Sequence, residues 1–424
     1  MRIGGNGTPW ARGAGVLVAL AALAPARAAA SGLDLFGFGM RAPAMAGTGV
    51  ASADDYEALH GNPAGLAVAP VKRATVGLVV ADFDLLLDGA DAGTDTVRGL
   101  VLGGVVPVPL GGWAKDRVAF GFGTYVPTET LNKARAPYPG VPHFALLGSR
   151  AQVVAIQVGL GVRISPRWTV GASVVSLAAL RGGIHVAADA TGRFTAVSEQ
   201  RIVTQFAPIV GARWDRGELD LGLVVRAPSR SDYDVRITND LADVIGLGLP
   251  ELRIAGAAQY DPLTVAVEAA WRRGPLLLAG QLAWQRWSAY PLPSQNPTPA
   301  TPPQQAPDFH DTAVPRLGVE HHATLAGTTL TTRAGYAFLW SPAGEQRGQQ
   351  SLLDNHRHLA GLGLGLARAG WPVRLDLFVQ AHFLVDRQHE KDPALQPVGA
   401  APAFDRIRTD GRIWVGGLAM GLEL

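Results

Sequence analysis

The chain has 424 residues, no cysteine, 52 glycines and 17% charged residues, below the roughly 25% charge of ordinary soluble domains. The lack of cysteine excludes a disulfide scaffold and thiolate metal sites. The formal net charge is +2, from 37 Lys and Arg against 35 Asp and Glu. Three of those cations (Arg2, Arg12 and Arg27) fall in the first thirty residues, so without that segment no basic excess argues for a nucleic-acid surface.

Residues 1–30 read as a secretory signal peptide. Arg2 and Arg12 make the positive start, Gly13 to Ala26 the apolar run, and Ala26-Arg27-Ala28 and Ala28-Ala29-Ala30 the small-x-small cleavage sites. The apolar run is shorter than the ~20 residues of a spanning helix. Export is therefore expected, with cleavage near residues 28–30.

Residues 31–70 show neither helical nor strand periodicity over any length. Small residues, turns and short helical fragments predict a compact insert. Leu33, Leu35, Phe36, Phe38 and Met40 supply its apolar side chains, and Asp54-Asp55 is expected to cap a helix at its positive end.

From residue 71 to the end the pattern has period 2. In 372–386, Val373, Leu375, Leu377, Val379, Ala381, Phe383 and Val385 share one face, while Arg374, Asp376, Phe378, Gln380, His382, Leu384 and Asp386 share the other. The same contrast of large apolar against small or polar recurs in 151–164 and 276–286, and in Trp414, Leu418, Met420, Leu422 and Leu424. Strands are predicted at 73–87, 96–108, 117–127, 149–164, 167–180, 200–213, 218–232, 250–271, 275–290, 311–324, 328–340, 356–368, 372–386 and 408–424. Many exceed the ~5–6 residues common in soluble sheets and suit the ~9–11 tilted residues of a membrane crossing. Connections alternate between short (Ser165-Pro166, Arg273-Gly274, Ala326-Gly327) and long (181–199, 233–249, 291–310, 341–355, 387–407). That is the signature of periplasmic turns and extracellular loops. The expected fold is all-β: a transmembrane antiparallel β-barrel of fourteen strands over 71–424, its lumen plugged by residues 31–70. Two prolines disturb the pattern. Pro262 shifts parity within 250–271, read as a bulge in one strand, and Pro208 weakens 200–213. The Pro-rich run 291–307 is expected to be a loop.

Three runs carry a family resemblance. The first is Gly47-Thr48-Gly49-Val50-Ala51 through Asp54-Asp55 to Asn62-Pro63-Ala64-Gly65-Leu66. The second is Trp284-Gln285-Arg286-Trp287-Ser288. The third is Leu330-Thr331-Thr332-Arg333-Ala334-Gly335-Tyr336-Ala337, followed by Ser341-Pro342 and Leu353-Asp354-Asn355-His356-Arg357-His358. In this order the chain resembles the FadL/TodX-type outer-membrane transporters of long-chain fatty acids and aromatic hydrocarbons. The resemblance implies passive transport of hydrophobic small molecules through a hatch-gated barrel. Asn62, Pro63, Ala64, Gly65, Asp54 and Asp55 would belong to the hatch. Substrate would sit beside it, near Leu33, Phe36, Phe38, Met40 and the inward Arg333. It would leave sideways at the third strand near Gly121, Gly123 and Pro127. The implied partners are a fatty acid, hydrocarbon or detergent, with outer-membrane lipids and lipopolysaccharide around a monomer.

Chemical motifs are sparse. His321-His322 point to opposite faces of a strand, and His356 and His358 share a face at a loop edge. No Gly-x-Ser-x-Gly elbow is present, and Gly47-x-Gly49 lacks the third glycine of a dinucleotide loop. No enzyme, metal or cofactor site is expected. A general porin, which needs no N-terminal hatch, and an adhesin or assembly factor acting through its loops remain as alternatives.

Overall fold

A strand whose two faces differ in chemistry must set them against two different media. The computed structural model describes residues 33–68, 71–129, 140–147, 153–188, 194–240, 252–292, 294–295, 307–396 and 401–424. The leader expected at 1–30 and most of the Pro-rich run 291–307 lie outside them. Fourteen strands cross the wall: β1 (Arg73–Leu87), β2 (Val97–Pro107), β3 (Val118–Pro127), β4 (Ala155–Arg163), β5 (Trp168–Ala188), β6 (Phe194–Arg216), β7 (Leu219–Arg226), β8 (Thr264–Arg273), β9 (Leu276–Gln285), β10 (Thr312–Leu325), β11 (Thr328–Leu339), β12 (Arg357–Arg368), β13 (Val373–Leu384) and β14 (Arg406–Glu423). Each pairs antiparallel with the next. β14 returns to β1, from Arg73↔Glu423 to Leu87↔Thr409, and closes the cylinder. Closure leaves no sheet edge, the condition for a sheet to survive in hydrocarbon.

The two prolines mark where the wall changes. At Pro262 the crossing divides into Leu252–Asp261 and β8, and the strand before it divides at 227–228 into β7 and Ser229–Asp240. The count of fourteen therefore stands. The two continuations pair with each other, with a register shift at Ser231/Asp232. Tyr233–Asp240 also runs parallel to Leu180–Ala187 of β5, beyond the last β4–β5 pair at Ala155↔Leu177. Pro208 lies inside β6, next to the final β6–β7 pair Ile209↔Arg226, and its carbonyl accepts from the Ala227 N–H. A residue without an N–H is tolerated there because the ladder with β7 ends.

The parity read from sequence is the one observed. Leu78, Leu362 and Leu418 point outward at 56%, 65% and 56% exposure, while Val79, Phe378 and Val415 on the alternate parity are buried. At the short-turn end Trp113, Trp168 and Trp371 are exposed. Arg117 lies over the Trp113 ring, Arg216 over Trp214, and Arg368 over Trp371. An amphipathic ring beside a cation suits the boundary between acyl chains and headgroups.

Residues 33–68 fill the inside. They form short helices α1 (Leu33–Phe36), α2 (Arg41–Ala44) and α3 (Ala58–Gly61), and a 3₁₀ turn at Pro63–Ala67. The small inward residues have a direct reason, because hatch backbone lies on them. A Cβ on Gly171 would fall 2.2 Å from the Pro63 carbonyl carbon, and one on Gly211 would fall 2.1 Å from Asn62 Oδ1.

Candidate functional site: the seam between hatch and wall

The Asn62-Pro63-Ala64-Gly65 run is a docking point. Asn62 Nδ2 donates to Val50 O at 2.7 Å within the hatch and to Ala212 O at 3.0 Å on β6. Its Oδ1 accepts from Ala64 N–H at 3.1 Å, capping the 3₁₀ turn that Pro63 begins. One buried amide therefore shapes the hatch and ties it to the wall.

Three carboxylates hold the remainder. Glu57 accepts from the backbone N–H groups of Met40, Arg41 and Ala42 at 2.7, 2.8 and 2.8 Å. Glu268 of β8 accepts from Gly49 N, Val50 N and Ser52 Oγ at 2.6, 2.8 and 2.8 Å. Glu320 of β10 takes Arg41 Nε and Arg333 Nε, both at 2.7 Å. Arg333 continues to Asp376 at 2.8 Å, and Asp376 takes Arg374 Nε at 2.7 Å. Burial, with Asp55 beside it, pushes the Glu57 carboxyl up to about 7 against the pull of its backbone donors. Cations of the wall reach hatch carbonyls: Arg163 to Val68 O at 2.8 Å and Arg316 to Ala46 O at 2.7 Å.

Other expected residues fall as follows. Asp55 accepts from Glu57 N–H at 2.9 Å and lies 4.0 Å from Arg73, with Asp54 half-buried beside it. The expected helix cap is displaced: α3 starts only at Ala58, and its N-cap residue Glu57 makes no side-chain cap because its carboxylate is turned back to Met40–Ala42. Leu33 opens α1. Phe36 packs 6.0 Å from Phe83 and edge-on 6.4 Å from His382. Phe38 packs edge-on 5.4 Å from Tyr56, and Met40 is buried. Arg333 is committed to two carboxylates, so it acts in the wall network rather than as a free lumen cation. Asp386 pairs with Arg408, and both are exposed. His356 accepts from Ser341 N–H and His358 meets the Tyr336 hydroxyl, each at 2.8 Å, so the two serve separate partners.

The proposed opening at the third strand has a definite structure here. β3 pairs with β2 without a break from Gly99↔Pro127 to Pro107↔Ala119, and with β4 from Val118↔Val162 to Tyr125↔Ala155. The room left by Gly121 and Gly123 is filled from the hatch. Leu66 Cδ2 and Phe38 Cζ come within 2.7 and 2.5 Å of where their Cβ atoms would stand.

Sequence reasoning missed Glu57, Glu268 and Glu320. The available signal was a carboxylate at an inward position of an otherwise small face, as in Ala266-Val267-Glu268-Ala269-Ala270, since a buried acid without a partner is too costly to keep. It also missed the rim. Tyr260, Trp287, Tyr290 and Phe309 form a chain of ring contacts, closest at 4.5 Å between Tyr290 and Phe309, packed with Leu146 and Leu352. Below lies one continuous apolar cluster. It passes from Phe144 and Leu147 in the β3–β4 connection past Tyr125, Val97 and Phe83 to Leu35, Phe36, Phe38 and Leu59 of the hatch. Beside that cluster is a cleft of about 50 Å³, lined by Phe36, Phe38, Arg226, Gln281 and Gln380 among others. That is less than the ~150 Å³ of an apolar cavity known to admit benzene.

The sequence matches no family model and no curated protein. The fold does have solved counterparts. A Pseudomonas aeruginosa FadL homologue is 16% identical over 91% of this chain and 98% of its own, with TM-score 0.59. The P. putida toluene transporter TodX is 16% identical over 92% and 99%, with TM-score 0.56. The Ralstonia pickettii toluene transporter TbuX is 14% identical over 92% and 100%, with TM-score 0.52. The chain thus has the fold of FadL/TodX-type outer-membrane channels, as its motif order implied.

Proposed function

We propose that this chain carries small hydrophobic molecules passively across an outer membrane, with residues 33–68 as the gate. The observation that carries the reading is the apolar cluster running from the extracellular connections to the hatch. A greasy molecule gains ~0.8 kcal/mol per CH₂ on leaving water, so a dry path serves it where a water-filled pore does not. The N-terminal segment lying on the inward glycines of the wall argues against the general-porin alternative, which needs no hatch. Phe36 and Phe38 occupy the end of the path, and cargo advances by displacing them. A sideways exit at Gly121, Gly123 and Pro127 belongs to this reading. It requires the β3 ladder to part after Phe38, Leu59 and Leu66 withdraw. The structural relatives described as toluene transporters support the cargo class.

The test uses cells bearing lipopolysaccharide, which slows hydrophobic entry. Full-length chain is expected to speed uptake of a labelled alkylbenzene while conducting few ions in a planar bilayer. Deletion of residues 33–68 is expected to open a large steady conductance. Uptake no faster than in cells without the chain, or free passage of sugars through the intact chain, defeats the proposal.

A further inference from the structure

One polar side chain in the apolar path is used by none of the contacts above. Gln157 faces inward on β4 at 1% exposure, and neither its Oε1 nor its Nε2 has a hydrogen-bond partner. The ladders place it opposite Gly123 on β3 and Val175 on β5. Its inward neighbours along β4 are Ala155 and Gly159. Hatch side chains cover those positions. Phe38 Cζ and Leu59 Cδ1 lie 2.5 and 3.2 Å from the Cβ position of Gly123, and Leu59 Cδ2 lies 2.9 Å from that of Gly159. Ser173, diagonal to it on β5, spends its hydroxyl on Leu59 O at 2.6 Å. An amide with both halves orphaned is costly in such surroundings, and packing alone asks only for a leucine there.

We infer that Gln157 is the polar recognition point of the path, and that the preferred cargo is a hydrophobic molecule carrying a neutral hydroxyl, such as an alkylphenol. A hydroxyl donates to Oε1 and accepts from Nε2, so it satisfies both halves of the amide. A pure hydrocarbon satisfies neither, and an ether or ketone can only accept. A carboxylate would bring a charge into an apolar site, a cost that a neutral hydroxyl avoids. Space is made by Phe38. It lies between Gly37 and Gly39, at φ 92° and 90°, a backbone region that glycine enters freely. When the ring swings away, the volume it leaves beside Gly123 is the size of one aromatic ring and adjoins the amide.

This inference rests on the path being the route of cargo, and the experiment separates the two ideas. Purified full-length protein and lipopolysaccharide-bearing cells are offered 4-octylphenol and octylbenzene, which differ by one hydroxyl. The native chain is expected to bind and admit both, favouring the phenol. Gln157→Leu, of similar volume, is expected to lower the phenol-to-hydrocarbon ratio about tenfold, the loss of one or two neutral hydrogen bonds, with octylbenzene uptake kept or raised. Gln157→Met provides the same readout if Gln157→Leu does not assemble. An unchanged ratio in a folded variant overturns the inference and leaves Gln157 satisfied by structural water. A native chain that admits neither compound overturns the transport reading itself.

Discussion

At the residue scale, the hatch is held by few groups that each do several tasks. Asn62 serves Val50 O, Ala212 O and Ala64 N at once. Asn62→Ala is expected to weaken hatch docking by about 2–3 kcal/mol, because it orphans buried partners as well as removing bonds. Faster hydrogen exchange of the Ala64 and Gly65 amides would show it, and unchanged exchange would refute it. Glu57 gives a pH dependence. Its carboxyl stands at about 7, above the ordinary 4.5, so the folded chain keeps a proton that the unfolded chain loses first. The stabilisation from that proton is complete below about pH 4.5 and is lost as pH rises to about 7. Melting in detergent is therefore expected to fall between pH 5 and 8 more steeply in the native chain than in Glu57→Gln. The motif Asn62-Pro63-Ala64-Gly65 could be read in sequence because its residues are contiguous. Glu268 and Glu320 stand out only as inward carboxylates, and their partners could not be read, because they lie 219 and 279 positions away.

At the element scale, wall and hatch are complementary surfaces made by different rules. The wall obeys period 2, and β1 runs from Arg73 to Leu87 as expected, whereas β5 continues to Ala188 and β6 begins at Phe194, so most of the connection expected at 181–199 is strand. The hatch has no period, since helices of four residues bury no regular stripe. Its shape is fixed by caps, carboxylates and the glycines opposite it. Gly171→Leu is expected to leave the barrel assembled and to dislodge Pro63, which lies 2.2 Å from the new Cβ. Bilayer conductance rising toward that of the 33–68 deletion would report this, and a native trace with a folded barrel would refute it. The same geometry explains β3. Gly121 and Gly123 receive Leu66 and Phe38, and the strand stays paired on both edges.

At the scale of the whole molecule, the outside is a solvent specification. Leu362, Leu364 and Leu366 stand exposed in a row on β12, alternating with the buried glycines Gly361, Gly363 and Gly365. Such a surface suits acyl chains. Leu364→Arg is expected to cost about 2–4 kcal/mol for folding into vesicles, measured by urea titration. A cost near zero would place this band outside the hydrocarbon.

What the sequence determined by itself was what repeats or adjoins: strand parity, the count of fourteen and the order of the motifs. Each is local, and a period of two needs only neighbouring residues to be read. Tertiary structure alone decided which inward residues meet the hatch, that Arg333 is consumed by Glu320 and Asp376, and that Gln157 is left without a partner. These depend on closing a cylinder around an aperiodic segment, which joins residues hundreds of positions apart and leaves no trace in local pattern.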